Sequence, residues 1–151
     1  MQDRLEIRRA APDDWQGILP LFEQLYHGDI GPDLRNVFTT LVTHRENCIL
    51  VAEKNRKLVG TLVGTFHLDM DWEGKIAKLQ AIIVDKPHRR HGIGRILYQQ
   101  FLSYAKRHHA RAITARVNRR NREAIVFYEK LAFAKTETIE YTLDITQNPN
   151  A

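Results

Sequence analysis

With 151 residues the chain is expected to form one domain with a self-sufficient core. No apolar run approaches the ~20 residues that span a bilayer. Met1-Gln2-Asp3-Arg4 leads into a mixed strand rather than a secretory apolar core, and the single cysteine excludes an intrachain disulfide, so a cytoplasmic protein is expected. The net charge of +5 is uneven: residues 86–122 hold 11 of the 23 Lys/Arg and none of the 18 Asp/Glu.

Residues 5–9 alternate as a short strand. Pro12-Asp13-Asp14 supplies a helix start, and Trp15, Ile18, Leu19, Phe22 and Leu25 follow at helical spacing. Residues 28–32 break the chain before a second amphipathic stripe at Leu34, Val37, Phe38, Leu41 and Val42. The apolar strand 48–53, opened by Cys48 as a buried small hydrophobe, turns at Lys54-Asn55-Arg56 into the long β run 58–68, which reads as a hairpin. Residues 69–74 form a polar turn, and 76–84 a strand whose apolar run ends at Val84. After a turn through Asp85-Lys86-Pro87, the residues Ile96, Leu97, Phe101 and Tyr104 recur at helical spacing. Residues 112–117 read as a strand. Asn121 is expected to cap a helix with Ala124, Phe127, Tyr128 and Leu131 on one face. Residues 133–145 are β-rich and read as another hairpin, and 147–151 as a frayed tail. Strands and helices mixed around one sheet give an α/β layered architecture.

The stretch Arg89-Arg90-His91-Gly92-Ile93-Gly94, between an apolar strand and a helical pattern, carries the chemistry. Glycine lets the backbone approach an anion closely, and the first N–H groups of a helix are unpaired with the helix dipole behind them. Arg89 and Arg90 add charge-assisted donors for phosphate oxygens, so a phosphate-containing ligand is expected. A dinucleotide loop would need a third glycine where Leu97 stands, and a P-loop would need G-x-x-x-x-G-K-[ST], which is absent. Read alone, the stretch also fits a glycine-rich turn that starts a basic surface helix. Residues 121–133 supply a second pattern, in which Tyr128 by itself fits an ordinary core aromatic with a wet hydroxyl.

The spacing R-x-x-G-x-G resembles the coenzyme A pyrophosphate loop of the GNAT superfamily of N-acetyltransferases. Asn121-Arg122-Glu123-Ala124-Ile125-Val126-Phe127-Tyr128-Glu129-Lys130-Leu131-Ala132-Phe133 resembles the N-x-x-A-x-x-F-Y-E-K-L-G-F segment of the same superfamily. The two lie in the family's order and separation. This chain has Ala132 where glycine is usual, and Arg90 where the family often has glycine. The resemblance covers residues 5–145 and implies one N-acetyltransferase domain over 1–151. Its fold would be a mixed, mostly antiparallel sheet of about seven strands with four helices. The strands ending at Val84 and Val117 would run parallel and splay apart to form the coenzyme cleft. Acetyl-CoA would be the co-substrate, held by Arg89, Arg90, His91, Gly92, Ile93, Gly94 and Arg95, by main-chain groups of Ile82, Ile83 and Val84, and by Asn121 and Tyr128. In the family the asparagine contacts the pantetheine arm and the tyrosine hydroxyl lies near the thioester sulfur.

Acetyl transfer to an amine needs a neutral amine, a polarised thioester carbonyl and a proton for the departing thiolate. Tyr128 fits the last role, since a phenol of pKa ~10 can donate to a developing thiolate of ~8.5. A backbone N–H of Ile83 or Val84 is expected to bond the oxyanion. The family's acidic residue on the coenzyme strand falls at Gln80 and Ala81, neither of which can take a proton. Asp69, Asp71, Glu73, Glu140 or ordered water remain as bases. Expected, then, is an acetyl-CoA-dependent N-acetyltransferase acting on a primary amine of a small molecule, amino acid, polyamine or peptide N-terminus. Two alternatives belong to other classes: a non-catalytic acyl-CoA sensor, and a nucleic-acid-associated module built on Arg116, Arg119, Arg120 and Arg122. No aromatics interleave with those arginines as a stacking surface would require, which weighs against nucleic acid. The basic segment suits the pyrophosphate and 3′-phosphate of coenzyme A. No metal is expected, since His88, His91, His108 and His109 have no carboxylate or cysteine in their segment. The acceptor would be gripped by Tyr26, His27, Gly28 and Asp29, by the turn 69–73 and by the C-terminal strands, whose acids favour a cation. No membrane partner is expected, and a homodimer stays open.

Overall fold

The computed structural model describes residues 3–147. The readings placed on Met1-Gln2 and on the tail from 148 onward lie outside the described residues. The chain divides into one unit that ends at Arg116 and a second that begins at Val117.

In the first unit the alternating and apolar runs become the strands β1 (Leu5–Arg9), β2 (Cys48–Lys54), β3 (Lys57–Asp69), β4 (Gly74–Val84) and β5 (Ile113–Ala115). They form one sheet in the order β1-β2-β3-β4-β5. The first three pairings are antiparallel and the β4–β5 pairing is parallel. The helical stripes become α1 (Trp15–Leu25), α2 (Leu34–Thr43) and α3 (Ile93–Arg107). Among the described residues no helix is long and apolar enough to cross a membrane.

Each face of the sheet packs on helices. Ile49, Val51, Val63 and Ala81 meet Trp15, Ile18, Leu21 and Phe22 of α1 and Phe38 of α2 in one buried cluster. Trp15 and Phe38 lie 5.5 Å apart between ring centroids, in a tilted geometry that suits aromatic pairs. The helix α3 approaches β3 at two glycines. A Cβ on Gly60 would meet Leu97 Cδ1 at 3.2 Å and Ile93 Cγ2 at 3.4 Å, and a Cβ on Gly64 would collide with the Phe101 ring. Phe101 and Leu97 are fully buried as a result, and full burial of each such side chain is worth about 1.5–3 kcal/mol. Cys48 is buried as expected, and desolvation pushes its thiol up to about 11.

In the second unit Asn121 caps α4 (Arg122–Lys130), its Oδ1 accepting from the Ala124 N–H at 3.1 Å. The helix ends where the Phe133 N–H reaches back to the Tyr128 carbonyl at 3.0 Å, and this closure needs Ala132 at φ +67°. Glycine serves that left-handed position without strain, whereas a Cβ costs about 1–2 kcal/mol there.

The sheet corrects two expectations. Its strands number five among the described residues rather than about seven, and residues 133–145 form no hairpin. Ile139, Tyr141, Leu143 and Ile145 keep the period-two pattern of a strand, yet all four are exposed. The segment contains no Gly, Pro or Asn, so it lacks the residues that reverse a chain between two short strands. The strand expected at 112–117 is shorter, Ile113–Ala115.

Gly64→Ala forces a methyl into the Phe101 ring and should cost about 1–3 kcal/mol, while Gly31→Ala, where a Cβ meets open space, should be near neutral; urea midpoints of the two variants check the difference. Ala132→Gly should raise stability by about 0.5–1 kcal/mol, because relief of left-handed strain exceeds the added unfolded-state entropy. An unchanged or lowered thermal midpoint would contradict it.

Candidate functional site

The β4–β5 pairing runs from Ala77–Ile113 to Leu79–Ala115 and stops there. Beyond it, β4 continues through Gln80 to Val84 while remaining paired with β3 on its other side, Ile82 with Leu62 and Val84 with Gly60. The pairing stops because β5 itself ends at Ala115, so among the described residues one edge of β4 beyond Leu79 is left without a strand partner. Main-chain groups alternate in direction along a strand. The Asp85 N–H bonds the Val59 carbonyl at 2.8 Å, so Ile83, two residues back, also turns toward β3. Ile82 and Val84 turn toward the open edge.

The chain leaves β4 through a 3₁₀ turn at Lys86–His88 and reaches α3 through two left-handed residues, Arg90 at φ +66° and Gly92 at φ +82°. Gly92 is the N-cap of α3, and its carbonyl accepts the first intrahelical bond, from the Ile96 N–H at 3.0 Å. The N–H groups of Ile93, Gly94 and Arg95 thus precede any helical acceptor, with the helix dipole behind them. Arg90, His91, Gly92 and Arg95 are exposed, whereas Ile93 is buried under Gly60. This end of the unit is a cationic surface of backbone and side-chain donors suited to a polyanion.

Arg89 is turned inward. Its Nε donates to the Val84 carbonyl at 2.8 Å and its Nη2 to Gln24 Oε1 at 3.4 Å. Gln24, on α1, donates from Nε2 to Asp85 Oδ1 at 2.7 Å, and its Oε1 also accepts from the Lys86 N–H at 3.1 Å. The Gln24 hydrogen bond, followed by that of Lys57, holds the Asp85 carboxyl below the usual range against the opposing effect of burial. In the sequence Asp85 reads only as a turn residue, and Gln24 gives no sign of its role, because a glutamine on a polar helix face carries no local signal of a partner 61 positions away.

In the second unit, the Oδ1 of Asn121 is engaged in the helix cap. The Tyr128 ring lies against Phe127 and Phe133 at centroid distances of 5.4 and 5.2 Å. Burial pushes its hydroxyl up to about 12, so the phenol stays protonated through the physiological range. Among the candidate bases, Asp69 Oδ1 accepts from the Trp72 N–H at 3.1 Å in the β3–β4 turn, while Asp71, Glu73 and Glu140 are exposed. Gln80 donates to Thr65 Oγ1 at 2.9 Å. Among the described residues no three His, Cys, Asp or Glu side chains come together as a metal site.

A family model described as the acetyltransferase (GNAT) family matches residues 13–133. The chain is 29% identical over 145 residues to an uncharacterized N-acetyltransferase of Methanocaldococcus jannaschii, across 89% of this chain and 62% of that protein. It therefore spans about three-fifths of that relative's length. It is 27% identical to an uncharacterized N-acetyltransferase of Archaeoglobus fulgidus, across 89% of this chain and 96% of that protein. An aminoglycoside N-acetyltransferase solved in complex with CoA shares its fold with a TM-score of 0.84 at 15% identity, covering 95% of this chain and 97% of that one. The family match takes in both the loop ahead of α3 and the segment around α4, the two places to which the sequence motifs point: the chain belongs to the acetyltransferase (GNAT) family.

Proposed function

We propose that residues 1–151 act as one N-acetyltransferase domain that moves an acetyl group directly from acetyl-CoA to a primary amine of a small molecule, amino acid, polyamine or peptide N-terminus. The observation that carries this reading is the start of α3, where left-handed Gly92 opens a turn of unpaired N–H groups at the exit of β4. A pyrophosphate suits those donors, and Arg90 and Arg95 add charge beside them. The coenzyme arm would then run along the open edge of β4, where the main-chain groups of Ile82 suit its amides, the Val84 carbonyl being already held by Arg89 Nε.

In the transfer, the amine nitrogen attacks the thioester carbonyl carbon and the new C–N bond forms. The oxygen gains negative charge, and a main-chain N–H on the open edge of β4 is the donor we assign to it; the Ile83 N–H turns toward β3 and does not serve. The C–S bond then breaks and the thiolate takes a proton, which we assign to Tyr128 on its place in the 121–133 segment. A phenol near 12 is a weaker acid than one in water. Low-dielectric surroundings disfavour a thiolate as they disfavour a phenolate, so a sulfur leaving beside the Tyr128 hydroxyl would be shifted in the same direction. The attacking amine loses its proton to water or to one of the exposed acids. The cytoplasm is the compartment that suits a free buried thiol and an acetyl-CoA donor.

Replacing Gly92 and Gly94 together with valine should abolish coenzyme A binding in calorimetry while the far-UV spectrum is retained; unchanged affinity would sink the assignment. A screen of acetyl-CoA consumption against an amine library identifies the acceptor. With that acceptor, Tyr128→Phe should lower kcat by ~10²-fold with little change in coenzyme affinity. A fully active Phe variant would leave water as the proton source.

A further inference from the structure

Thr61 and Asp85 are the buried polar side chains of the described residues. Thr61 is explained by its own sheet, its hydroxyl donating to the Leu50 carbonyl at 2.8 Å. Asp85 sits at the junction of β4 with the loop that precedes α3, is 7% exposed, and is engaged from three directions. Gln24 Nε2 donates to its Oδ1 at 2.7 Å, while Lys57 Nζ and His88 Nδ1 face its Oδ2 at 3.4 and 3.5 Å. A buried carboxylate is tolerated only with such partners.

The Gln24 amide uses both of its ends. Its NH₂ faces a carboxylate, and its carbonyl faces the Lys86 N–H and the Arg89 guanidinium. Only an amide in this orientation satisfies a pure acceptor on one side and two donors on the other. Arg89 in turn spans the loop back to the Val84 carbonyl. One side chain of α1 therefore ties together the end of β4, the 3₁₀ turn and the residue before left-handed Arg90. Eight residues separate Val84 from Ile93, and fixing both ends and the middle of so short a loop leaves few conformations to lose when an anion orders it.

Resting on the coenzyme reading above, we infer that Gln24 is a positioning residue for the acyl donor. Through Asp85, Lys86 and Arg89 it presets the loop whose N–H groups receive the pyrophosphate. Arg89 serves the ligand through the shape of the loop, and Arg90 and Arg95 face it.

The test is calorimetry of the whole chain with coenzyme A, paired with thermal unfolding. Gln24→Met removes both ends of the amide at similar volume and should weaken coenzyme A affinity about 10-fold, the scale of one or two hydrogen bonds. Gln24→Glu should weaken it at least as much, because it sets a carboxylate against Asp85. Combining Gln24→Glu with Asp85→Asn restores an acceptor opposite a donor and should recover affinity toward wild type, a recovery that a merely structural helix contact would not give. If the wild type binds coenzyme A and Gln24→Met binds it equally well, the inference is overturned while the proposed function stands. Absence of recovery in the double variant overturns it in the same way. A wild-type chain that binds no coenzyme A overturns the proposed function and this inference with it.

Discussion

The close approach of α3 to β3 sets the geometry on which the proposed donor site depends. Gly60 and Gly64 remove the side chains that would hold the helix off the sheet, and Leu97 and Phe101 fill the space. Because Gly60 pairs with Val84, the same contact that seats Ile93 at the start of α3 also lies beside the last residue of β4. Strand exit and helix entry are thereby held together by packing, and the loop between them has only to bridge a fixed gap. A helix lifted by one methyl at Gly64 would carry its N-terminal N–H groups away from the end of β4, so the hydrophobic core fixes where those groups stand.

Legible in the sequence is whatever has a local period or a local cause. Helical spacing places α1 and α2 within a residue or two and the middle of α3, which extends three residues beyond the stripe at each end, and the apolar runs place β2, β3 and β4. Glycine at 92 marks the turn into α3, and Asn121 announces the cap of α4. The β-rich stretch after Phe133 shows the opposite limit. Its residues favour strands, but a strand also needs an edge to join and a turn to return by, and propensity supplies neither. The contacts of Gln24 are invisible for a related reason: they join residues brought near only by α1 packing on the sheet.

Charge follows the same division of labour. The acid-free segment 86–122 contains the loop, all of α3 and all of β5. Up to Arg111 its cations fall in three places: Lys86, Arg89, Arg90 and Arg95 between the end of β4 and the start of α3, Lys106 and Arg107 at the end of α3, and Arg111 beside the start of β4, where its N–H bonds the Lys75 carbonyl. Lys106 and Arg107 sit in the last turn of α3, where they complement the helix dipole. Arg90 and Arg95 sit at the opposite end, against the dipole, where a cation is unfavourable for the helix alone. Placement of cations at a helix N-terminus makes physical sense when an anion is to be received there. That asymmetry separates the loop arginines from an ordinary solvated basic face.

Two positions where the family favours glycine carry other residues here, and both are left-handed: Arg90 at φ +66° and Ala132 at φ +67°. Each departs from the backbone's preference by about 1–2 kcal/mol, yet the two differ in what the side chain adds. The Ala132 methyl is at the exposed end of α4 and brings no polar group. The Arg90 side chain brings an exposed guanidinium to a loop whose residues Asp85, Lys86 and Arg89 hydrogen-bond Gln24. Strain of this kind persists where the surroundings over-determine the backbone, and it is kept where the strained residue has work to do. Under the proposed function Arg90 satisfies both conditions: the bracing network fixes its neighbours, and its charge faces the pyrophosphate. Glycine at 90 would then relax the loop and remove the donor together, whereas glycine at 132 only relaxes the helix end.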